Sequence, residues 1–123
     1  MLSALSVRNI VLIDQLDLDL ESGLSVITGE TGAGKSILLD ALTLALGGRG
    51  DQKLVRKGAG SGQVIAAFNL SADHGASQLL KENGYEIEGE LILRRVQYGD
   101  GRTKAQVNDQ PISANLLRRV GAM

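Results

Sequence analysis

Gly29-Glu30-Thr31-Gly32-Ala33-Gly34-Lys35-Ser36 is the stretch that decides the fold, and the residues on either side say why. Upstream, Leu24 to Thr28 is a short apolar run of strand length that enters the glycines without a break. Downstream, Lys35 to Leu46 reads as a helix of about three turns. Its polar positions Ser36, Asp40 and Thr43 make one stripe on an otherwise apolar cylinder, so it is expected to be buried on most sides. Gly47-Gly48 ends it, because glycine readily adopts the left-handed backbone just past a helix. Strand, glycine loop and helix together meet the pattern G-x-x-x-x-G-K-[ST] in full.

Each residue type in that pattern has a physical reason. Glycines let the backbone curl until successive amide N–H groups converge on phosphate oxygens. Lys35 sets a cation against the β- and γ-phosphates, and the Ser36 hydroxyl is the expected Mg²⁺ ligand. The helix that follows turns its positive end to the same place. Hydrolysis needs more: a second acidic site, an apolar run ending in Asp or Asp-Glu, to hold the metal and orient water. No such run exists here. Asp17 and Asp19 precede the loop on a wet strand, Glu86, Glu88 and Glu90 alternate without an apolar run, and Asp40 lies inside the loop's own helix. An Asn-Lys-x-Asp guanine-reading motif is also absent.

Around this centre the chain reads as one α/β domain. Leu2 to Val7 forms a strand, and residues 15–21 alternate strictly, with Leu16, Leu18 and Leu20 opposite Gln15, Asp17, Asp19 and Glu21. A half-buried strand with one wet face belongs to an antiparallel sheet. After a turn at Ser22-Gly23 comes the strand into the glycine loop. Arg49 to Gly62 is a basic, glycine-rich loop with room for one helical turn. Val64–Leu70 is a strand and Ala76–Asn83 a helix closed by Gly84, with His74 at its start. Leu91–Gln97 and Arg102–Val107 make a hairpin across Tyr98-Gly99-Asp100-Gly101, where Asp-Gly is a strong turn signal. Asn108 to Pro111 is a further turn, and Ser113 caps a last helix, Ala114–Val120. Arg94 and Arg95, adjacent on a strand, must point to opposite faces.

Composition narrows the classes. At 43% hydrophobic and 22% charged the chain is globular rather than disordered. No apolar stretch is long enough to span a bilayer and the N-terminus lacks a secretory pattern, so no membrane role is expected and the location is cytoplasmic. Without cysteine, and with His74 the lone histidine, thiolate and histidine-rich metal sites are excluded. A net charge of −1 gives no general affinity for nucleic acid. The basic residues nonetheless cluster as Arg49, Lys53, Arg56 and Lys57, and again as Arg94, Arg95, Arg102 and Lys104.

Several segments taken together resemble the heads of SMC-like, ABC-type ATPases. They are Leu5 to Ile10 before the Leu-x-Leu-x-Leu strand, the loop Gly29–Ser36 with Leu39-Asp40-Ala41-Leu42, Leu54 to Gly58, Leu93-Arg94-Arg95, Gly101-Arg102-Thr103, and Val107 to Ile112. The form of the loop with Leu54-Val55-Arg56-Lys57-Gly58 points to the bacterial DNA-repair branch of that family. The resemblance covers nearly the whole chain. It implies a P-loop fold with a mixed sheet, a parallel part holding the loop's strand and an antiparallel part made by the N-terminal strand pair and the 91–107 hairpin. It implies ATP and Mg²⁺ at Gly29, Glu30, Thr31, Gly32, Ala33, Gly34, Lys35 and Ser36, with Lys35 and Arg56 as candidate catalytic residues, Arg56 coupling nucleotide to DNA. Arg8 and Asn9 sit where related heads approach the nucleotide. A second head in a homodimer, DNA as partner and a nucleoid-associated location follow from the same likeness.

The family's Q-loop glutamine, coiled coil, signature motif and Walker B acids do not occur up to Met123, so the chain is expected to be the first lobe of a head and inactive alone. Gln97 is not accepted as the Q-loop residue, because its strand runs into a hairpin. Rival expectations are a transporter's nucleotide-binding subunit, which would carry an adenine-stacking aromatic ahead of Phe68, a P-loop kinase with a lid arginine cluster, or a structural nucleotide-holding module.

Overall fold

A computed structural model describes residues 2–10, 13–19, 32–69, 74–86 and 90–122. The strand expected over residues 24–28, the turn before it and Gly29 to Thr31 lie outside the described residues. Strands β1 (Leu2–Ile10) and β2 (Ile13–Asp19) are followed by helix α1 (Gly32–Ala45), a 3₁₀ turn (Gln52–Leu54) and β3 (Ser61–Asn69). Then come α2 (Gly75–Glu82), the hairpin of β4 (Glu90–Tyr98) and β5 (Thr103–Val107), a short β6 (Gln110–Pro111) and α3 (Ala114–Gly121). The strands form one six-stranded sheet in the order β2-β1-β3-β4-β5-β6, and every described pairing is antiparallel. The antiparallel part of the expected sheet is therefore present and larger than foreseen. The parallel part would involve the strand outside the described residues.

Register sorts the side chains onto two faces. Val7 lies between Leu16 and Val64, Val64 is opposite Arg95, and Arg95 is opposite Ala105. One residue further on, Ser6 pairs with Asp17 and Ile65, and Ile65 with Arg94. The first row faces the helices and the second faces away. On the helix face, Ala41, Leu44 and Ala45 of α1 pack with Leu5, Val7, Ile10, Val64 and Ala66. Beside them Leu79 and Leu80 of α2, Leu117 and Val120 of α3, and Leu91, Leu93, Ala105 and Val107 form a second cluster. Phe68 touches both clusters.

Local chemistry explains the boundaries. His74 is the N-cap of α2, its Nδ1 accepting the Ala76 N–H at 3.0 Å, and Ser113 caps α3 by accepting from Leu116 N–H at 3.1 Å. The 98–101 hairpin closes as Gly101 takes φ +97° and the Asp100 carboxylate accepts from the Arg102 backbone. Arg102 also lies over the Tyr98 ring, 5.0 Å from its centroid. Asn108 and Asp109 both take positive φ, which turns the chain tightly enough for Gln110–Pro111 to pair with β5 where only a turn was expected.

Two expectations about α1 are corrected. It begins at Gly32, not Lys35, so Gly32-Ala33-Gly34 are helical. The first four N–H groups of any helix lack partners within it, so glycine's poor helix propensity is felt least in that opening turn. The helix is also less enclosed than expected, because Leu39 is 63% exposed alongside Asp40 and Thr43.

The end of α1 is met by α3 at backbone distance. A Cβ on Gly121 would stand 2.2 Å from Leu46 O, and one on Gly47, whose φ is +100°, 2.6 Å from Arg118 Cα. Gly121→Ala should therefore cost roughly 1–3 kcal/mol of stability. Gly60→Ala, where nothing lies within 4 Å of the added atom, should stay within about 0.5 kcal/mol of the parent. Urea denaturation midpoints of the two variants check this, and equal midpoints would deny the close contact.

Candidate nucleotide site

The expected site residues Gly32, Ala33, Gly34, Lys35 and Ser36 are the first five residues of α1. Helix geometry gives this segment four backbone N–H donors without partners inside the helix, at its positive end. Such a donor set fits phosphate, with the Lys35 ammonium and Ser36 hydroxyl in the same stretch of sequence. Gly29, Glu30 and Thr31 lie outside the described residues. Among the described residues no group of three or more His, Asp or Glu side chains could hold a metal ion.

The opposite end of α1 is held from two sides. Arg95, 3% exposed, reaches from β4: its Nη1 donates to Leu44 O at 3.1 Å and to Gly48 O at 3.0 Å, and Nη2 to Thr103 Oγ1 at 3.3 Å. Nε of the same residue is buried without a partner. Arg118 of α3 adds a bond from its Nε to Gly47 O at 3.3 Å. Burial, and secondarily the charge of Arg118, push the Arg95 guanidinium below the ordinary arginine value. Among the described ion pairs none gives Arg95 a carboxylate. Its counter-charge is the negative end of the α1 dipole, concentrated in those carbonyls.

Arg94, on the other face, donates from Nε to Gln63 Oε1 and from Nη1 to Gln106 Oε1, both at 3.0 Å. The two arginines thus diverge as strand geometry requires. Sequence reasoning set Arg95 opposite Arg94 without giving it a role, although the signal was there: Leu91, Leu93 and Arg95 share one parity, which puts an arginine into an apolar register. Gln97 continues that parity, fully buried within β4. Its Nε2 donates to Tyr98 O and Arg102 O at 3.0 and 3.2 Å.

Arg56 is exposed, in the basic loop after α1, and the structure brings it to the end of β1. Its backbone N–H donates to Asn9 O at 2.8 Å, and neighbouring Val55 bridges to Ile10. Asn9 takes φ +54° there. The loop backbone is pinned at this point, so any reach of Arg56 falls to its side chain. Gly50 lets the same loop lie against the hairpin, since a Cβ there would be 2.3 Å from Thr103 Cγ2 and 2.4 Å from Gln97 Oε1. Asn9 and Arg56 are therefore neighbours, while Arg8 lies on the outer face. Arg8 Nη1 and Nη2 meet the two Asp17 carboxylate oxygens at 3.0 and 3.3 Å, and Ser6 Oγ donates to the same carboxylate.

The Ser6 hydrogen bond first, then Arg8, hold the Asp17 carboxyl below the usual carboxylate range. A carboxyl depressed in the folded state stabilises fully above its unfolded pKa, and that contribution fades as pH falls through the folded value. Asp17→Asn should therefore show a shallower loss of stability on acidification than the parent. Denaturation midpoints across the carboxylate range, with an NMR titration of Asp17, check the sign.

With this geometry in place, the comparisons with known proteins fall into line. A family model described as an AAA domain matches residues 4–116. DNA repair protein RecN of Vibrio cholerae is 44% identical over 123 residues, covering 100% of this chain and 22% of that protein. RecN of Haemophilus influenzae is 42% identical, over 98% of this chain and 22% of that protein. The chain thus spans less than a quarter of the length of these curated relatives. A structure described for ATP-driven dimerization and DNA-stimulated activation of SMC ATPases superposes with a TM-score of 0.73 at 21% identity, covering 97% of this chain and 76% of that one. The fold is that of an SMC-type P-loop head, and the likeness to the bacterial DNA-repair branch is borne out.

Proposed function

Because the chain belongs to the AAA domain family, matched over residues 4–116, we propose that it is the ATP-binding part of an SMC-like ATPase acting in DNA double-strand break repair and recombination. The observation that carries this is the complete phosphate-loop motif running into the N-terminus of α1, a helix packed on the sheet along Ala41, Leu44 and Ala45. The RecN relatives and the SMC-type fold support the repair context. They do not favour a transporter subunit, a rival that the lack of any aromatic before Phe68 also weakens.

In this reading the amides of Gly29 to Ser36 cradle the phosphates of ATP, Lys35 neutralises the β- and γ-phosphates, and Ser36 ligates Mg²⁺. The metal, when bound, draws charge from the phosphate oxygens that transfer loads most heavily. The chain supplies one jaw of the site, and a second head in a homodimer supplies the other. Arg56, beside Asn9 at the end of β1, couples the nucleotide to DNA with Arg49, Lys53 and Lys57 around it. A cytoplasmic, nucleoid-associated location goes with that role. Among the described residues no helix is long and apolar enough to cross a membrane.

Two measurements test the proposal. ATP at about 100 times its dissociation constant adds ~2.7 kcal/mol to the stability of a folded binder. Mg²⁺-ATP should therefore raise the melting temperature of the protein and leave that of Lys35→Ala unmoved, and equal shifts would place the nucleotide elsewhere. The 123-residue chain by itself should show almost no turnover, and hydrolysis that Lys35→Ala abolishes would contradict the one-jaw reading.

For the DNA role, ATPase rate is read with and without duplex DNA. Arg56→Ala should keep ATP binding but lose most of the DNA-stimulated increment, which should also fade in the parent as salt rises. Full stimulation in Arg56→Ala would reduce Arg56 to a surface charge.

A further inference from the structure

A buried guanidinium with no carboxylate is costly unless something of opposite sign is built around it. Among the described residues Arg95 is such a group, and its backbone acceptors are Leu44 O near the end of α1 and Gly48 O just beyond it. Carbonyls at this end carry the helix's negative pole; Leu44 O also accepts the Gly47 amide at 3.2 Å, and Gly48 lies beyond the last helical residue. Arg95 therefore adds charged hydrogen bonds at α1's negative end while that end supplies the counter-charge. The seat is narrow: Thr103 Oγ1 fixes the second nitrogen, Gly47 admits the backbone of α3, and Arg118 adds its bond to Gly47 O.

We infer that Arg95, assisted by Arg118, is a positioning residue for the nucleotide: it fixes the axial place and rotation of α1 from behind, so that the first turn with Lys35 and Ser36 meets the phosphates in register. The inference rests on the phosphate-loop reading above. A helix of 14 residues is about 21 Å long, and its backbone is stiff enough to carry a displacement from one end to the other. The strand that bears Arg95 is central in the sheet, between β3 and β5.

The test separates positioning from bulk stability. Mg²⁺-ATP affinity of the protein as the cell makes it is measured by fluorescent-nucleotide titration, at a temperature where circular dichroism shows each variant folded. Arg95→Gln should bind about tenfold more weakly, the range expected for coupling between two sites. Arg95→Lys, which keeps the charge and loses the fork, should recover part of that loss. Leu93→Ala is the control: it damages the neighbouring core cluster on the same strand and should lower melting temperature without changing affinity. In the absence of nucleotide, amide hydrogen exchange in the first turns of α1 should quicken in Arg95→Gln and not in Leu93→Ala.

If Arg95→Gln does not fold, Arg118→Gln, at an exposed position, should still weaken binding about two- to threefold. Unchanged affinity in the folded Arg95→Gln, unchanged affinity in Arg118→Gln where it stands in, or equal losses in Leu93→Ala and Arg95→Gln would overturn the inference while leaving the site. A parent that binds no Mg²⁺-ATP would overturn both.

Discussion

The contact between the Arg95 guanidinium and the carbonyls at and just beyond the end of α1 constrains the molecule more than any other single interaction. Val64 of one core cluster pairs with Arg95 in the sheet, and Arg95 pairs with Ala105 of the other. The arginine therefore stands at the seam between the helix that carries the phosphate loop and the pair of helices beside it. An apolar side chain there could fill space but could not satisfy Leu44 O and Gly48 O. A carboxylate would face the negative pole of the helix. Only a cation with several fixed donors joins the three elements, which makes this buried charge a matter of geometry more than of net stability.

Each face of the sheet has its own chemistry because the register is kept across the strands. Among the described residues the helix side is mainly apolar, with a polar row leading from Arg95 to Gln97 and Thr103. The outer side is a polar lattice, in which Asp17 joins Ser6 and Arg8, and Gln63 and Gln106 hold Arg94 between them. Such neutral holders keep the Arg94 charge uncancelled, whereas Arg8 is matched by Asp17. Two basic residues on the same face of the sheet, in β1 and β4, thus differ in the charge they present, a distinction that composition alone cannot make.

Much of this was legible in the sequence. The Asp-Gly hairpin, the Ser113 cap and the strand of the wet alternation are short-range signals, and the structure has the hairpin, the cap and a strand at Ile13–Asp19 where they were expected. The divergence of Arg94 and Arg95 followed from strand parity. What could not be read depends on who lies opposite. Leu39 looks like a core residue by type, yet it occupies the side of α1 turned from the sheet. Gly121 looks like a helix end by type, and only the approach of Leu46 O gives it a packing role. The helical state of Gly32-Ala33-Gly34 likewise runs against propensity, which governs poorly where the amides have no intrahelical partner to lose. Arg56 was placed in a loop, but its anchoring on Asn9 O joins residues 47 positions apart and leaves no local trace.

The strand order has a consequence for how the chain is made. From β1 outward through β3, β4, β5 and β6, each strand pairs with the described strand before it on the growing edge, so the sheet can extend one strand at a time as the polypeptide leaves the ribosome. The end of α1 follows a different schedule. Gly47 must wait for Arg118, 71 residues later. At synthesis rates of about 5–20 residues per second that is an interval of roughly 4–14 s. During it the nascent α1 rests on the early strands with Gly47 O still without the side-chain partner that α3 brings.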